Sequence, residues 1–162
     1  MIRAVVAVML VACGPGVPGG GPTMNNKMAQ DANPPVSSVV STDILAREPV
    51  ANTANVKHIL IGWKDLGDAY QGHLDPRAAK RTKAEAEAEV KQLVAQLAGG
   101  ADFDTLMKAN SEDPSSVSGH IFAVSPDATL VIEFRQMSLR LKPGEMGVVQ
   151  SDYGFHIIKR LN

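Results

Sequence analysis

The sequence predicts an α+β domain in which helices surround a four-stranded antiparallel sheet, in the order βααβαββ. Two observations carry this prediction. A run rich in β-branched residues at 56–61 opens the region, and two short apolar runs at 147–149 and 155–159 close it. A long stretch between them repeats its apolar residues at helical spacing. This order is an α+β pattern, with one antiparallel sheet and helices packed around it.

The first half of the region contains one strand and one long helix. The strand is Val56-Lys57-His58-Ile59-Leu60-Ile61. Asp75-Pro76 resembles a helix cap followed by proline at the first helical position, so the helix is expected to run from there to about Ala98. Its apolar stripe consists of Ala86, Val90, Leu93, Val94 and Leu97. Gly99-Gly100 ends the helix.

The second half supplies two further helices and three strands. Asp102 is placed to cap a short helix. Residues 111–118 are predicted to form a turn-rich loop, and 121–124 a short strand. A third helix is expected at 130–139. The turn at 142–145 then leads into the two closing strands.

Composition and charge narrow the function classes. The chain has 162 residues, of which 16 are basic and 17 acidic, giving a net charge of −1. Nucleic-acid binders normally show a basic excess, so no nucleic-acid partner is expected. The four histidines lack a metal-ligand spacing such as HExxH, so neither a metal site nor a cofactor is expected. The single cysteine excludes an intramolecular disulfide.

That cysteine, Cys13, ends a segment with the features of a leader. A positive charge precedes an unbroken apolar run at 4–11, which is too short to span a bilayer as a helix. Leu10-Val11-Ala12-Cys13 resembles the lipobox of bacterial lipoproteins. The resemblance implies a signal peptide at 1–12 and a lipid anchor on Cys13, and the absence of aspartate after the cysteine favours the periplasmic face of the outer membrane. An ordinary signal peptide or a buried apolar N-terminus would also fit the pattern.

Residues 13–53 are predicted to form a flexible tether. The run GPGVPGGGP at 14–22 disfavours helix and strand alike, because glycine costs backbone entropy and proline lacks a donor. The polar stretch at 23–53 lacks a sustained apolar periodicity, with room for short helical turns around 39–47. The foldable domain is therefore assigned to 54–162.

Within that domain, three segments resemble the parvulin (PpiC, or rotamase) family of peptidyl-prolyl cis/trans isomerases. The first is the strand at 56–61. The second runs from Gly99-Gly100-Ala101-Asp102-Phe103-Asp104-Thr105-Leu106 into Ser111-Glu112-Asp113-Pro114-Ser115. The third joins Leu141-Lys142-Pro143-Gly144-Glu145-Met146 to Ser151-Asp152-Tyr153-Gly154-Phe155-His156-Ile157-Ile158-Lys159. The order and spacing of the three segments carry the resemblance.

The resemblance implies which side chains form the site. Histidines on the first and last strands of the family meet in the sheet interior, and those positions are His58 and His156 here. An acidic residue after the second helix faces the substrate, and that position is Asp113. The implied substrate-binding residues are Ile121, Leu130, Phe134 and Tyr153. Taken singly, the histidines would equally suit a structural core, Asp113 a turn, and Leu130 with Phe134 plain helix packing.

The implied function is isomerisation of X-Pro bonds in exported proteins, which assists folding in the cell envelope. The implied partners are unfolded or proline-containing polypeptides, and the membrane is reached through the lipid anchor. Phe122 stands where many parvulins carry glycine. This departure favours an alternative, a non-catalytic binding module that holds unfolded chains. A purely structural envelope lipoprotein would explain the anchor but not the pocket residues.

The loop after the first strand bears on substrate choice. Some eukaryotic parvulins bind phosphoserine or phosphothreonine before proline through a basic cluster in this loop. Here the loop begins with Trp63 and a single lysine, Lys64, which is followed by Asp65 and Asp68. The remaining basic residues of the loop, Arg77, Lys80 and Arg81, come late. We therefore expect a preference for neutral or apolar residues before proline, with Trp63 lending an apolar surface.

Overall fold

The computed structural model describes residues 36–162. It contains a four-stranded sheet whose neighbouring strands are all antiparallel, in the spatial order β2-β1-β4-β3. The strands are β1 (Ala54–Ile61), β2 (Phe122–Val124), β3 (Met146–Ser151) and β4 (Gly154–Arg160). The predicted α+β class with a four-stranded antiparallel sheet is confirmed. The predicted signal peptide and Cys13 lie outside the described residues.

Within residues 36–162, five α-helices accompany the sheet. They are α1 (Thr42–Leu45), α2 (Lys83–Ala98), α3 (Phe103–Asn110), α4 (Pro114–Val117) and α5 (Ile132–Arg140). The one-turn helix α1 falls where the sequence allows short helical turns, at 39–47, and α4 is a further turn of helix within the predicted loop at 111–118. Across residues 36–162, no helix combines the length and apolar character needed to cross a membrane.

The long helix α2 begins later than the sequence predicts. Thr82 is its N-cap: the Thr82 hydroxyl accepts from the Glu85 N–H at 3.3 Å, and the Glu85 carboxylate accepts from the Thr82 N–H at 2.7 Å. This reciprocal capping box satisfies two backbone donors at once. Asp75 instead accepts from the Arg77 N–H at 2.7 Å and closes a separate turn. The predicted cap of α3 does form, because Asp102 accepts from the Thr105 N–H at 2.8 Å.

Part of the predicted tether belongs to the folded domain. The Ser41 N–H donates to the Val148 carbonyl at 2.9 Å, and the Ser41 hydroxyl accepts from the Val148 N–H at 3.0 Å. Ile44 on α1 is only 5% exposed and packs in the core beneath α5. The tether prediction is therefore wrong for 36–53, because a single buried isoleucine in a polar stretch gives no detectable periodicity. Residues 13–35 lie outside the described part of the chain.

Both faces of the sheet are covered. One face packs against α2 and α3, and the other packs against α5 and α1. Side chains alternate between the two faces along a strand. Val56 and Ile158 point toward α5, so His58 and His156, which lie two residues away on the same strands, point to that face as well. The candidate site is built there.

Candidate active site

Two histidines meet on the α5 face of the sheet. His58 lies on β1 opposite Ile158, and His156 lies on β4 opposite Leu60, so the two histidines are diagonal neighbours across the strand pair. Their Nδ1 atoms are 3.2 Å apart. Both side chains are buried, with 3% and 5% exposed. The structure thus brings together the two histidines that the sequence singled out.

The loop after α3 carries Asp113 to this pair. The Ser111 hydroxyl accepts from the Leu60 N–H at 3.1 Å, and the Glu112 N–H donates to the Leu60 carbonyl at 2.9 Å. These bonds lay the loop along the end of β1. Asp113 follows directly, and its Oδ2 lies 2.7 Å from His58 Nε2.

Both oxygens of Asp113 are held by hydrogen bonds. Oδ1 accepts from the Ser115 N–H at 2.9 Å, as the N-cap of α4, and Oδ2 also accepts from the Ser116 hydroxyl at 3.3 Å. Burial alone would raise the pKa of Asp113. The hydrogen bonds from His58 and the Ser115 N–H outweigh burial and lower that pKa to about 2. Asp113 is therefore ionised at neutral pH.

His156, in contrast, is held neutral. Burial, followed by the charge of His58, lowers the pKa of His156 to about 3. Its Nε2 lies 2.8 Å from the Ser151 hydroxyl, which accepts from the Tyr153 N–H at 3.1 Å. An ionised carboxylate can only accept a hydrogen bond, so a neutral His58 donates to Asp113 only when its proton is on Nε2. His58 Nδ1 then accepts from His156, and His156 Nε2 accepts from Ser151, so the hydrogen bonds run in one direction toward Asp113.

An apolar cavity of about 340 Å³ opens beside the histidine pair. Phe134, which is 3% exposed, and Leu130 form one wall. The His58 ring makes edge contacts with Phe122 and Phe134, with ring centroids 4.9 and 5.0 Å apart. Aromatic edges at this spacing pack favourably. The cavity is therefore a preformed slot with a largely apolar lining.

A larger depression of about 590 Å³ lies elsewhere, where β1 begins and β2 ends. Its lining contains neither a histidine nor a carboxylate. Its one charged residue is Arg160, whose guanidinium donates to the carbonyls of Leu141 at 2.8 Å and Thr53 at 3.3 Å. These bonds tie the strand ends together. Of these two cavities, the smaller one holds the histidine pair and Asp113.

Tyr70 is a site residue that sequence reasoning missed. It comes from the irregular loop between β1 and α2 and lines the cavity. Its hydroxyl donates to the Tyr153 carbonyl at 2.6 Å, and the two rings meet edge to face with centroids 5.5 Å apart. Burial, together with the carboxylates of Glu112 and Asp113, raises the pKa of Tyr70 to about 12, so the phenol remains a donor. No periodicity in the loop indicates this position.

The structure places the predicted substrate-binding residues unequally. Leu130, Phe134 and Tyr153 line the cavity, whereas Ile121 does not. Ile121 is 48% exposed and stands just before β2. Because side chains alternate along a strand, Phe122 faces the cavity in its place. Phe122 has ordinary strand geometry opposite Val56, so this backbone does not need the freedom of a glycine.

The arrangement offers no activated nucleophile. Ser151 is 6% exposed, and its hydroxyl is already bonded to His156 and to the Tyr153 N–H. With a pKa of about 3, His156 is a poor general base near neutral pH. Among residues 36–162, no three ligand-type side chains converge on a point where a metal would fit. The site is therefore suited to holding a polypeptide segment in an apolar slot beside an ionised carboxylate.

Comparison with known proteins agrees with this geometry. Residues 42–162 match the model of the PPIC-type PPIASE domain family. The chain is 32% identical over 133 residues to the foldase protein PrsA of Geobacillus kaustophilus, a match covering 80% of this chain and 45% of the relative. It is 40% identical over 80 residues to the chaperone SurA of Nitrosospira multiformis, covering 48% of this chain and 18% of the relative. The chain thus spans less than half the length of these curated relatives.

Solved structures share the fold. The solution structure of TbPIN1 superimposes with a TM-score of 0.59 at 24% sequence identity, over 70% of this chain and 100% of that one. The peptidyl-prolyl isomerase ESS1 from Candida albicans superimposes with a TM-score of 0.56 at 20% identity, over 68% of this chain and 63% of that one. At these identities the likeness establishes the architecture.

Proposed function

Because this chain belongs to the PPIC-type peptidyl-prolyl isomerase family, the parvulins, we propose that its domain catalyses cis/trans isomerisation of X-Pro peptide bonds. One observation carries the proposal: an apolar slot walled by Phe134 and Leu130 lies directly beside the ionised Asp113. Its volume of about 340 Å³ lies within the range of small-ligand sites. The slot takes the proline ring, and the carboxylate stands near the bond that rotates.

The apolar wall accounts for much of the catalysis. Rotation about a peptide bond must cross a barrier of about 18–20 kcal/mol, set by amide resonance. A catalyst lowers that barrier by binding the twisted amide more tightly than either planar form. The twisted amide has lost its charge separation and is the less polar species. A slot walled by Phe134 and Leu130 favours it, while the ring stays fixed and the preceding carbonyl swings.

Asp113 contributes through its charge. In the planar amide the carbonyl oxygen carries partial negative charge, and an ionised carboxylate nearby disfavours that form. The repulsion falls as the bond twists and the oxygen loses charge. His58 is a positioning residue, since its Nε2 holds Asp113 Oδ2 at 2.7 Å. His156 in turn fixes His58 and shapes the floor of the slot.

We also propose that the substrates are exported proteins and that the domain acts in the cell envelope. The leader-like N-terminus supports this proposal, with Cys13 as the residue that carries the lipid and the outer membrane as the destination. Similarity to proteins named as a foldase and a chaperone supports a role in assisting folding. Unfolded, proline-containing chains are then the partners.

A second function is favoured by Phe122. Its ring lies 4.9 Å from the His58 ring and 5.8 Å from the Phe134 ring, so it takes up room beside the apolar wall that a glycine would leave open. In this alternative the domain is a binding module that holds unfolded chains without turnover. The narrowed slot would hold the proline ring and prevent rotation of the adjacent peptide bond, so the chain would be bound but not isomerised.

Exchange NMR on a capped X-Pro peptide separates the two functions. The spectra report binding through chemical-shift changes and catalysis through the cis/trans exchange rate. A rise in the exchange rate supports the isomerase. Binding with an unchanged exchange rate supports the binding module.

A further inference from the structure

The rings that line the cavity fall into two groups. Phe122 and Phe134 contact the histidine pair, and Tyr70 contacts Tyr153. The phenylalanine group belongs to the apolar wall that takes the proline ring in the proposed function, and the pair of Tyr70 and Tyr153 is named the tyrosine end. The residue next to the proline is thereby assigned to the tyrosine end.

Carboxylates dominate the charge around this cavity. Its described lining includes Glu112 and Asp113 but no lysine or arginine. Glu112 is paired with Arg81 at 2.8 Å, but Arg81 also pairs with Glu89 at 3.0 Å, so one cation serves two carboxylates. The ion-pairing partner of Asp113 among the described residues is His58, with no lysine or arginine beside it. The negative charge of Asp113 is therefore the one that no described lysine or arginine of the cavity offsets.

Two arginines of the preceding loop are already paired with carboxylates. Arg77 pairs with Asp75 at 3.1 Å and donates to the Ser111 carbonyl at 2.9 Å, so it is used to hold the loop. Arg81 is paired with Glu112 and Glu89. Trp63, expected to offer an apolar surface, is 5% exposed and packs in the core on the opposite face of the sheet. Arg77 and Arg81 are therefore not free to grip a phosphate, and the indole of Trp63 does not line the cavity.

We propose that this site selects X-Pro segments carrying a lysine or arginine beside the proline and discriminates against glutamate, aspartate or phosphoserine there. This inference rests on the proposed isomerase function and specifies its substrate class. A cation beside Tyr70 and Tyr153 gains cation–π attraction from the phenol rings, of which Tyr153 is 40% exposed, and Coulomb attraction from the ionised Asp113. An anion at the same place meets repulsion and loses its hydration without a compensating donor.

Two series of capped peptides test the proposal. In the first, the residue before the proline is lysine, glutamine or glutamate, and in the second the residue after it is varied in the same way. Exchange NMR gives kcat/KM for each peptide at low and high ionic strength. We expect lysine to exceed glutamate by about tenfold in at least one series at low ionic strength. Glutamine should lie between them, and added salt should compress the ratio.

The outcomes distinguish the charge selectivity from the proposed isomerase activity on which it rests. Equal acceleration of all the peptides would overturn the charge selectivity and leave the isomerase intact. Acceleration of none would overturn the proposed isomerase itself, and the selectivity with it. A preference for glutamate would show that the tyrosine end is not the charged subsite inferred here.

Variants at Tyr70 assign the effect to its ring. Tyr70→Leu removes the aromatic face and should reduce the lysine-to-glutamate ratio. Tyr70→Phe keeps the face while losing the hydrogen bond to the Tyr153 carbonyl, and should retain the ratio. Because the readout is a ratio of two peptides on one protein, a change in overall activity does not confound it. An unchanged ratio in a folded Tyr70→Leu protein would contradict the role given to Tyr70.

Discussion

His58 Nδ1 lies 3.2 Å from His156 Nδ1, so like nitrogens face each other and one must donate while the other accepts. Burial lowers the pKa of His156 to about 3, which keeps this ring neutral. The pair therefore links the ionised Asp113 at the cavity edge to Ser151 in the interior.

The first prediction concerns stability and pH. The pKa of His156 is about 3 in the folded protein and about 6.5 in an unfolded chain. The unfolded state binds more protons between these values, so the free energy of unfolding should fall as the pH falls from about 6.5 toward 3, by up to about 1.4 kcal/mol per pH unit. Asp113, with its lowered pKa, should add a further loss only below about pH 4. Urea denaturation measured across this range checks both slopes.

A histidine variant isolates the contribution of the buried ring. His156→Gln cannot titrate and should flatten the pH slope above about pH 4, whereas His73→Gln, on the exposed surface, should keep the wild-type slope. If His156→Gln kept the full slope, the buried ring would not be its source.

The second prediction concerns the apolar wall. Phe134→Ala should lower kcat/KM strongly, because the proline ring loses its main contact, and it should cost about 3–5 kcal/mol of stability. Met137→Ala, buried on the same helix but outside the cavity, should destabilise comparably and retain activity once folded. Circular dichroism confirms folding in both variants. Unchanged turnover in folded Phe134→Ala would place the active site elsewhere.

The third prediction separates the charge of Asp113 from its place as a helix cap. Asparagine caps a helix as well as aspartate does, so Asp113→Asn should keep the cap of α4 while losing the stabilisation that the lowered pKa of the carboxylate contributes, and it should lower kcat more than it changes KM. Asp102→Asn makes the same substitution at the cap of α3 and should preserve both constants. Equal kcat values for Asp113→Asn and wild type would show that the charge of the carboxylate does not contribute to catalysis.

The fourth prediction concerns the N-terminus. If Cys13 carries the lipid, Cys13→Ser should leave the domain folded but release it from the membrane fraction or leave it as an unprocessed precursor. Fractionation of the native host and mass spectrometry of the mature chain measure this. A soluble, unlipidated wild-type protein would contradict the anchor.

Local patterns made much of the fold predictable. Strand β1 is rich in β-branched residues, which favour a strand. Asp102 directly precedes the helix that it caps, so the cap is visible in the local sequence. The histidine pair and Asp113 followed from family resemblance, since no local rule brings β1 and β4 together. Their meeting depends on the register that sets His58 opposite Ile158.

What the sequence did not reveal depends on long-range contacts. The segment at 36–53 is ordered by bonds such as that between Ser41 and Val148, and neither partner is unusual in its own neighbourhood. Tyr70 joins the cavity because its hydroxyl reaches the carbonyl of Tyr153, 83 residues further along the chain. Ile121 was misplaced for a local reason, since a shift of one residue in a short strand exchanges the two faces.

The central claim is that this cavity accelerates rotation about an X-Pro bond, and exchange NMR on a capped, uncharged Gln-Pro peptide tests it most directly. We predict that catalytic amounts of wild-type protein raise the cis/trans exchange rate well above the uncatalysed rate, whose time constant is tens to hundreds of seconds, and that Asp113→Asn loses most of this acceleration. Saturable binding of the peptide to the wild-type protein with no change in its exchange rate would contradict the claim and assign the domain to the binding of unfolded chains.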